Sequence, residues 1–579
     1  MGSPAYNPQA LLQTALVDTG TGMILRNQYP FFTGVQNLLN SSYLPVFSAV
    51  ESGADPTGVR DSAPGIIKAW NAAQASGGGV IWFNPGTYSL LTPIVLAPPS
   101  SGGPNPPVTF MGAGRATKFL RGANMPAGQG MFDVTATDVT FSNFLVDGAV
   151  TTPQGVVYAD VVDPRSVLFT QNSSFWVHSG SSRITWSEIV STHTGGYSAF
   201  VDADTADITD LFFYRYQMEN NRPFLFGLTA TDCNYGAWPG GVFFSGNGVT
   251  STAMVRRARF LGCSARRVNG TAFWLGHLSG FSSLHEDIQI VDTFCEDIGR
   301  DPIQPGGVVG MVIDSMQIRR PGYVTYDDTS QSTPRWLSGQ WAVGVDCGVC
   351  YGMLINNVHI VSPNGGGMDI DGCQWVTISN FSIRVPLPTD PEYIEDQVGL
   401  AGWAGAGTPG GPNAAYGILL AQAYYNVMGE GGHEISAGQI VNCSNGAVKI
   451  YGSQNSNIHG LNIYHPAAQS GAPIQLGNLS PVAAGPGNNG ISKGNTISGN
   501  RIQYAPATAL PCVNEVGGEA PYTSAAVNMI LGNPVVQPSN AVEFSKDPAS
   551  GSIGSVTEAI DFSSYTGTLT VTNGFITGS

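Results

Sequence analysis

Three short phrases align without a gap: Met311-Val-Ile-Asp314, Val343-Gly-Val-Asp346 and Met368-Asp-Ile-Asp371. Each closes a β-rich run with an aspartate placed after an aliphatic residue. The three final aspartates are 32 and 25 residues apart. If each interval is one turn of a coiled chain, strands stacked at ~4.8 Å bring Asp314, Asp346 and Asp371 into a column. Asp369 adds a fourth carboxylate, because residues two apart on a strand face the same side. Stacked carboxylates repel, so one holds its proton to higher pH than a free aspartate. A protonated acid beside an ionised partner is what cleavage of a glycosidic bond by water requires. Neighbouring coils would give the ~5–5.5 Å separation of a retaining reaction, and a skipped coil approaches the ~6.5–9.5 Å of an inverting one. The same oxygens would suit Ca²⁺ in a lyase whose nearby Arg or Lys removes a sugar C5 proton. Aspartates also cluster at plain solvated turns, and all three readings stand at this point.

A rival acidic group precedes these phrases: Glu286-Asp287, Asp292, Glu296-Asp297 and Asp301, with His277 and His285 close by. The basic residues Arg256, Arg257, Arg259, Arg266 and Arg267 form the main positive cluster, and a solvated flank of one coil accounts for it. The zinc-protease pattern HExxH and the phosphate-binding loop are absent, leaving those chemistries without support.

Positioning such residues needs a repeated scaffold, and the chain between about 78 and 505 supplies one. Val139-Thr-Phe-Ser-Asn143-Phe, Met353-Leu-Ile-Asn-Asn357-Val and Val376-Thr-Ile-Ser-Asn380-Phe are near copies, and Asn495-Thr-Ile-Ser-Gly-Asn500-Arg-Ile is a looser one. Each alternates aliphatic and polar residues and then reaches an asparagine. Asparagine tolerates left-handed backbone and bonds a stacked counterpart, which suits the turn of a β-solenoid. Three Pro/Gly-rich stretches (98–107, 320–335 and 386–412) are too long for such turns and are expected to project from one coil edge. Trp336 and Trp341 flank the second and Trp403 lies in the third, so they are candidates to stack on sugar rings. Packing of the loops onto the coil explains them equally well.

The residues Gly53-Ala-Asp-Pro-Thr-Gly58 form a polar turn, and Asp61 and Ser62 can cap a helix over about 62–76 that accepts Pro64 in its first turn. Ile66, Ile67, Trp70 and Ala73 share one face, and Gly77-Gly78-Gly79 ends the helix. Val80-Ile-Trp-Phe83 and the turn Asn84-Pro-Gly-Thr87 follow. One helix before a long run of strands suits a lid over the open end of a solenoid.

GADPTGVRDS, this helix and GGGVIWFNPGTY together resemble the first-coil signature of the pectate-lyase-like right-handed parallel β-helices. That superfamily includes pectinolytic lyases and hydrolases and bacteriophage tailspike depolymerases. The resemblance implies an all-β, single-stranded right-handed parallel β-helix over 46–505. Residues 1–45 would dock to a virion tail or baseplate protein, and 506–579 would be a C-terminal β module for closure or trimerisation. It further implies a homotrimeric tailspike or receptor-binding protein that binds and hydrolyses a bacterial surface polysaccharide outside the host cell. No cofactor is expected, with Ca²⁺ entering only for a lyase. A non-catalytic adhesive spike and a free-standing secreted lyase or hydrolase remain as alternatives. The polygalacturonase set (NTD, DD, GHG, RIK) does not occur as a set. The N-terminal residues lack a basic region followed by an apolar core, which favours assembly in the cytoplasm and release by lysis.

Composition agrees with a glycine-rich coil. Gly is 75 of 579 residues and charged residues are 11%, against a typical ~25%. A formal charge of −16 argues against a nucleic-acid or anionic-membrane partner, yet leaves room for an acidic sugar in a local basic patch. No run approaches the ~20 apolar residues of a membrane span. The eight cysteines (233, 263, 295, 347, 350, 373, 443, 512) include one lone CxxC, and their coil-sized gaps suit small apolar residues stacked inside the solenoid.

Overall fold

The computed structural model of the protein describes residues 45–554, apart from 99–104, 127, 150–171, 222–239, 247–251, 269, 277–282, 327–334, 339–341, 387–414, 422–429, 466–471, 479–489, 505–510, 516–526, 534, 537–543 and 546, together with a hairpin at 569–572 and 575–578. The segment 1–44, expected to dock to a virion, lies outside the described residues, as do Cys233, His277, Trp341 and Trp403.

The chain is a parallel β-helix. Its strands fall into one 26-stranded and one 14-stranded sheet, with every inter-coil pairing of the two sheets parallel. The larger, first sheet bends at a corner, so that many coils contribute two strands to it, such as Thr377–Ser379 and Ser382–Arg384. The second sheet forms the remaining wall.

The corner of the first sheet explains the recurring asparagine. Asn143, Asn357 and Asn380 have φ of 61°, 53° and 51°, and Gly460, Gly499 and Gly532 take the same place on later coils. A left-handed residue at the bend is available to asparagine and glycine at low cost. Asn500 departs from the expectation: Gly499 makes the bend, and Asn500 points inside, where its Nδ2 donates to Asn533 Oδ1 at 3.0 Å.

In-register stacking sorts the interior into columns of like side chains. Ile313, Ile355, Ile378, Ile435, Ile458, Ile497 and Ile530 occupy one fully buried column. The earlier coils use rings instead. Phe132 lies 5.1–6.2 Å by centroid from Phe110, Phe119, Phe141, Phe144 and Phe175. The seven described cysteines are buried and free, as small interior residues should be.

The helix spans Ala63–Ala75 and buries Ile66, Ala69, Trp70 and Ala73 against the first coil. Trp70 stacks on Phe110 at 5.9 Å. Asp61 Oδ1 accepts from the Ala63 and Leu91 amides, while Ser62 Oγ accepts from the Asp55 amide rather than from the helix. Gly65 has to be glycine, since a Cβ there would stand 2.1 Å from the Ala54 nitrogen.

Parallel pairing continues past residue 505 through Val513–Glu515, Met529–Leu531, Phe544–Ser545 and Ile553–Gly554. The coil therefore extends at least to 554, beyond the boundary expected at 505. Its last strands are only two or three residues long, too short for alternation to be read. The second Pro/Gly-rich stretch contains an antiparallel hairpin in which Thr325 pairs with Trp336.

Replacing Phe132 by Ala removes the hub of the ring stack and leaves a cavity, so unfolding free energy should fall by about 3–5 kcal/mol. Denaturant titration checks this, and an unchanged midpoint contradicts it.

Candidate functional site

On the second sheet, inward residues alternate with outward ones, and the outward residues form a continuous column along the axis. Pairing places Trp176 beside Phe200, Phe200 beside Phe243, Phe243 beside Trp274 and Trp274 beside Gln304. Asp346 pairs with Asp369, Asp369 with Leu419, and Leu419 with Lys449. The column thus passes from rings to acids to a cation. The rings are in contact, with centroids 5.5, 5.4 and 4.5 Å apart in order. The indole nitrogens of Trp176 and Trp274 are buried and have no hydrogen-bond partner among the described residues.

Asp346 and Asp369 are half-buried on adjacent coils, between the inward Val345, Cys347, Met368 and Ile370. Gln304 Nε2 donates to Asp346 Oδ2 at 2.6 Å and to Asp301 Oδ2 at 3.3 Å. Asp301 is 2% exposed, and its Oδ1 accepts from the Val343 amide at 2.7 Å. The Tyr416 hydroxyl donates to Asp369 Oδ2 at 3.3 Å, whereas Asp369 Oδ1 is buried with no partner among the described residues. Three carboxyl groups from three coils therefore gather around one amide and one phenol.

Their proton affinities follow from that crowding. Burial, then the Asp346 charge, pushes Asp301 up to about 8, against the pull of Arg300. Asp346 is raised by burial, but Gln304 and Arg300 offset part of that by favouring its charged form. Asp369 is held well above the usual carboxylate range by burial, then by Asp346 and Asp371. The group titrates as a unit, with Asp346 the member best equipped to carry the charge.

Of the four aspartates singled out from sequence, Asp346 and Asp369 come together directly. Asp371 lies two residues further along the same strand, 1% exposed, and faces Gly348 on the neighbouring coil. Asp314 does not join them. It sits on the first sheet between Val291 and Asn356, and its Oδ1 accepts from Asn356 Nδ2 at 2.8 Å. The expected single column fails because the interval from Asp314 to Asp346 includes the antiparallel hairpin and is not one turn. The true coil neighbour of Asp314 is 42 residues on, that of Asp346 only 23.

The rival acidic group divides. Glu286 and Asp287 pair with Arg256 and Arg259, and Glu296 and Asp297 with Arg320, which also accounts for much of the basic cluster. Among the described members of the group, Asp301 alone turns into the site. Of the three tryptophans proposed for sugar stacking, Trp336 lies on the hairpin strand, and its side chain, like Trp341 and Trp403, is outside the described residues. Sequence reading passed over Gln304, Tyr416 and the ring column. A signal existed: Phe175-Trp176, Phe243-Phe244 and Phe273-Trp274 are adjacent ring pairs, and on an alternating strand one of each pair must face outward. Gly490-Ile-Ser492-Lys-Gly494 has the spacing of a serine-nucleophile turn, yet Ser492 is buried and its Oγ donates to the Ile450 and Gly477 carbonyls. Among the described residues no three His, Cys, Asp or Glu side chains are grouped to hold a metal ion. No described helix is long and apolar enough to cross a membrane.

No family model and no curated protein matches the chain. Solved structures do. A tailspike protein of E. coli bacteriophage HK620, in complex with a pentasaccharide, matches 86% of this chain and 80% of its own at 10% identity and a TM-score of 0.49. ORF18 of Geobacillus virus E2 matches over 59% of this chain and 57% of that one, at 15% identity and a TM-score of 0.39. PfbA, a surface adhesin of Streptococcus pneumoniae, matches over 92% and 99%, at 12% identity and a TM-score of 0.38. The parallel β-helix expected from the first coil is borne out by the chain's own sheet pairing.

Because Asp301 holds its proton to about 8, against ~3.9 in an unfolded chain, the folded state binds the extra proton between those values. Its stability therefore falls as pH rises across that window. Asp301→Asn removes this contribution. The drop in unfolding midpoint between about pH 5 and about pH 9 should shrink in the variant. An equal drop in both proteins contradicts the assignment.

Proposed function

We propose that this chain binds a polysaccharide along its second sheet and hydrolyses it at Asp346 and Asp369. The observation that carries this reading is the stacking of two carboxyl side chains on adjacent coils, backed by a third acid, with no cation interleaved among the described residues. Asp369, kept protonated by its neighbours, is placed to give a proton to the leaving oxygen. Asp346, its charge stabilised by the Gln304 amide, is placed to act as nucleophile. Coils at ~4.8 Å fit the ~5–5.5 Å carboxyl separation of double displacement, with retention at the anomeric carbon. Asp301 acts from behind, through Gln304 and through its effect on Asp346, as a positioning residue. The part-exposed rings of Trp176, Phe200 and Trp274, with buried Phe243 packed among them, give the same column an apolar surface for the C–H sides of sugars.

In its finer form the proposal is a phage tailspike or receptor-binding protein. Residues 1–45 would attach it to a tail or baseplate protein, three chains would associate, and a bacterial surface polysaccharide would be the target. The first-coil resemblance supports this reading.

Purified capsules and O-antigens incubated with the protein should yield shortened chains without the absorbance of an unsaturated uronate, which would mark a lyase. Asp346→Asn and Asp369→Asn should each reduce the cleavage rate by about 10²–10⁴-fold while binding persists. NMR of the first-formed product should show the starting anomeric configuration. Undiminished cleavage in both variants contradicts the proposal, and binding without any shortening favours an adhesive spike.

A further inference from the structure

We propose that Lys449 forms an anion subsite on the same sheet, and that the polysaccharide taken there carries a carboxylate on a sugar unit near the bond to be cut. This rests on the polysaccharide reading above and specifies the class of polymer.

Lys449 belongs to the same outward column as the acids, two coils beyond Asp369 by way of Leu419. At ~4.8 Å per coil it stands about 10 Å from Asp369, a distance that a short stretch of linked sugar rings spans. Its side chain is half-buried. The ammonium donates to Asn445 Oδ1 at 2.9 Å and lies 6.0 and 5.9 Å from the ring centroids of Tyr416 and Tyr451. Among the described residues no carboxylate pairs with it. Cations on the first sheet are treated differently: Arg183 meets Asp138, Arg256 meets Asp207 and Glu286, and Arg257 meets Asp210.

A partly desolvated ammonium held by one neutral amide and two ring faces is incompletely compensated. Burial already holds its proton affinity below the ordinary lysine value. An incoming anion would complete the site. One cation matches a single charge, as on a uronate carboxylate, better than a doubly charged phosphate monoester. The long-range field works against an acidic polymer, since a chain of charge −16 repels one at a distance, so taking one requires a cation at the point of contact. Tyr416 joins the two centres, since it bonds Asp369 and also faces Lys449.

The test uses Asp346→Asn, in which binding is read apart from cleavage. A panel of uronate-containing capsular polysaccharides, neutral capsular polysaccharides and a phosphodiester-linked glycan is titrated into it by calorimetry. Any uronate polymer that binds is titrated again after chemical reduction of its carboxyl groups. The expected result is binding of a uronate polymer about tenfold or more tighter than its reduced form, with the preference collapsing when Lys449→Gln is added. Equal binding of the two forms overturns the proposal, as does a preference that survives Lys449→Gln or binding confined to neutral chains. Tightest binding by the phosphodiester glycan overturns the choice of carboxylate. Carboxylate-dependent binding without cleavage by the unsubstituted protein sinks hydrolysis alone and leaves the anion subsite standing.

Discussion

Parallel, in-register pairing of each coil on the next is the constraint from which the rest follows. It sets every side chain beside the same position of the coil above and below, about 4.8 Å away. Inside, this favours like on like, and the columns of isoleucine and of phenylalanine are the result. Outside, the same rule penalises charge, because like would stack on like. The first sheet meets that penalty by alternation. Asp138, Arg183, Asp210 and Arg257 succeed one another, each joined to the next by an ion pair or by the field of its neighbour. Contacts of this kind contribute little individually in water, but alternation removes a repulsion that would otherwise recur on every coil.

Against this background, the departure at Asp346 and Asp369 is informative. Two acids stack directly, and among the described residues no cation is interleaved. The crowding is instead moderated by Gln304, by Tyr416 and by retention of protons. A local rule broken at an outward-facing site, with proton affinities shifted by burial and by a named neighbour, is what a reactive centre looks like physically. The column also has a polarity: rings on the N-terminal side, acids in the middle, and a lysine with no carboxylate partner among the described residues on the C-terminal side. A polymer laid along the axis, as proposed, would meet apolar surface, then the acid pair, then the cation.

Much of the scaffold was legible in the residues. The helix, its apolar face and its glycine stop are local features, and they lie within one residue of where spacing placed them. The left-handed bends at Asn143, Asn357 and Asn380 were legible for the same reason. Half of the reacting pair was visible as a repeated strand end, and its neighbour as the residue two positions before another. Legibility failed wherever a conclusion needed the length of a coil. The interval around Asp314 contains an antiparallel hairpin, so equal-looking phrases fall on different walls. Asp301 was seen but grouped with its sequence neighbours, because nothing local says that it turns toward Gln304 while Glu296 and Asp297 turn to Arg320. That Lys449 has no carboxylate partner among the described residues could not be read from sequence either, since pairing depends on which side chains the neighbouring coils bring beside it.

Acids far apart in the chain share one electrostatic environment because the coils stack in register. Titration of ¹³C-labelled aspartate side chains by NMR, in the native protein and in Asp346→Asn, tests it most directly. Carboxyl resonances in the native protein should titrate well above the ordinary aspartate range, and those of Asp301 and Asp369 should shift downward once the Asp346 charge is removed. Independent titration of all three near ~3.9, unaffected by the substitution, would contradict it.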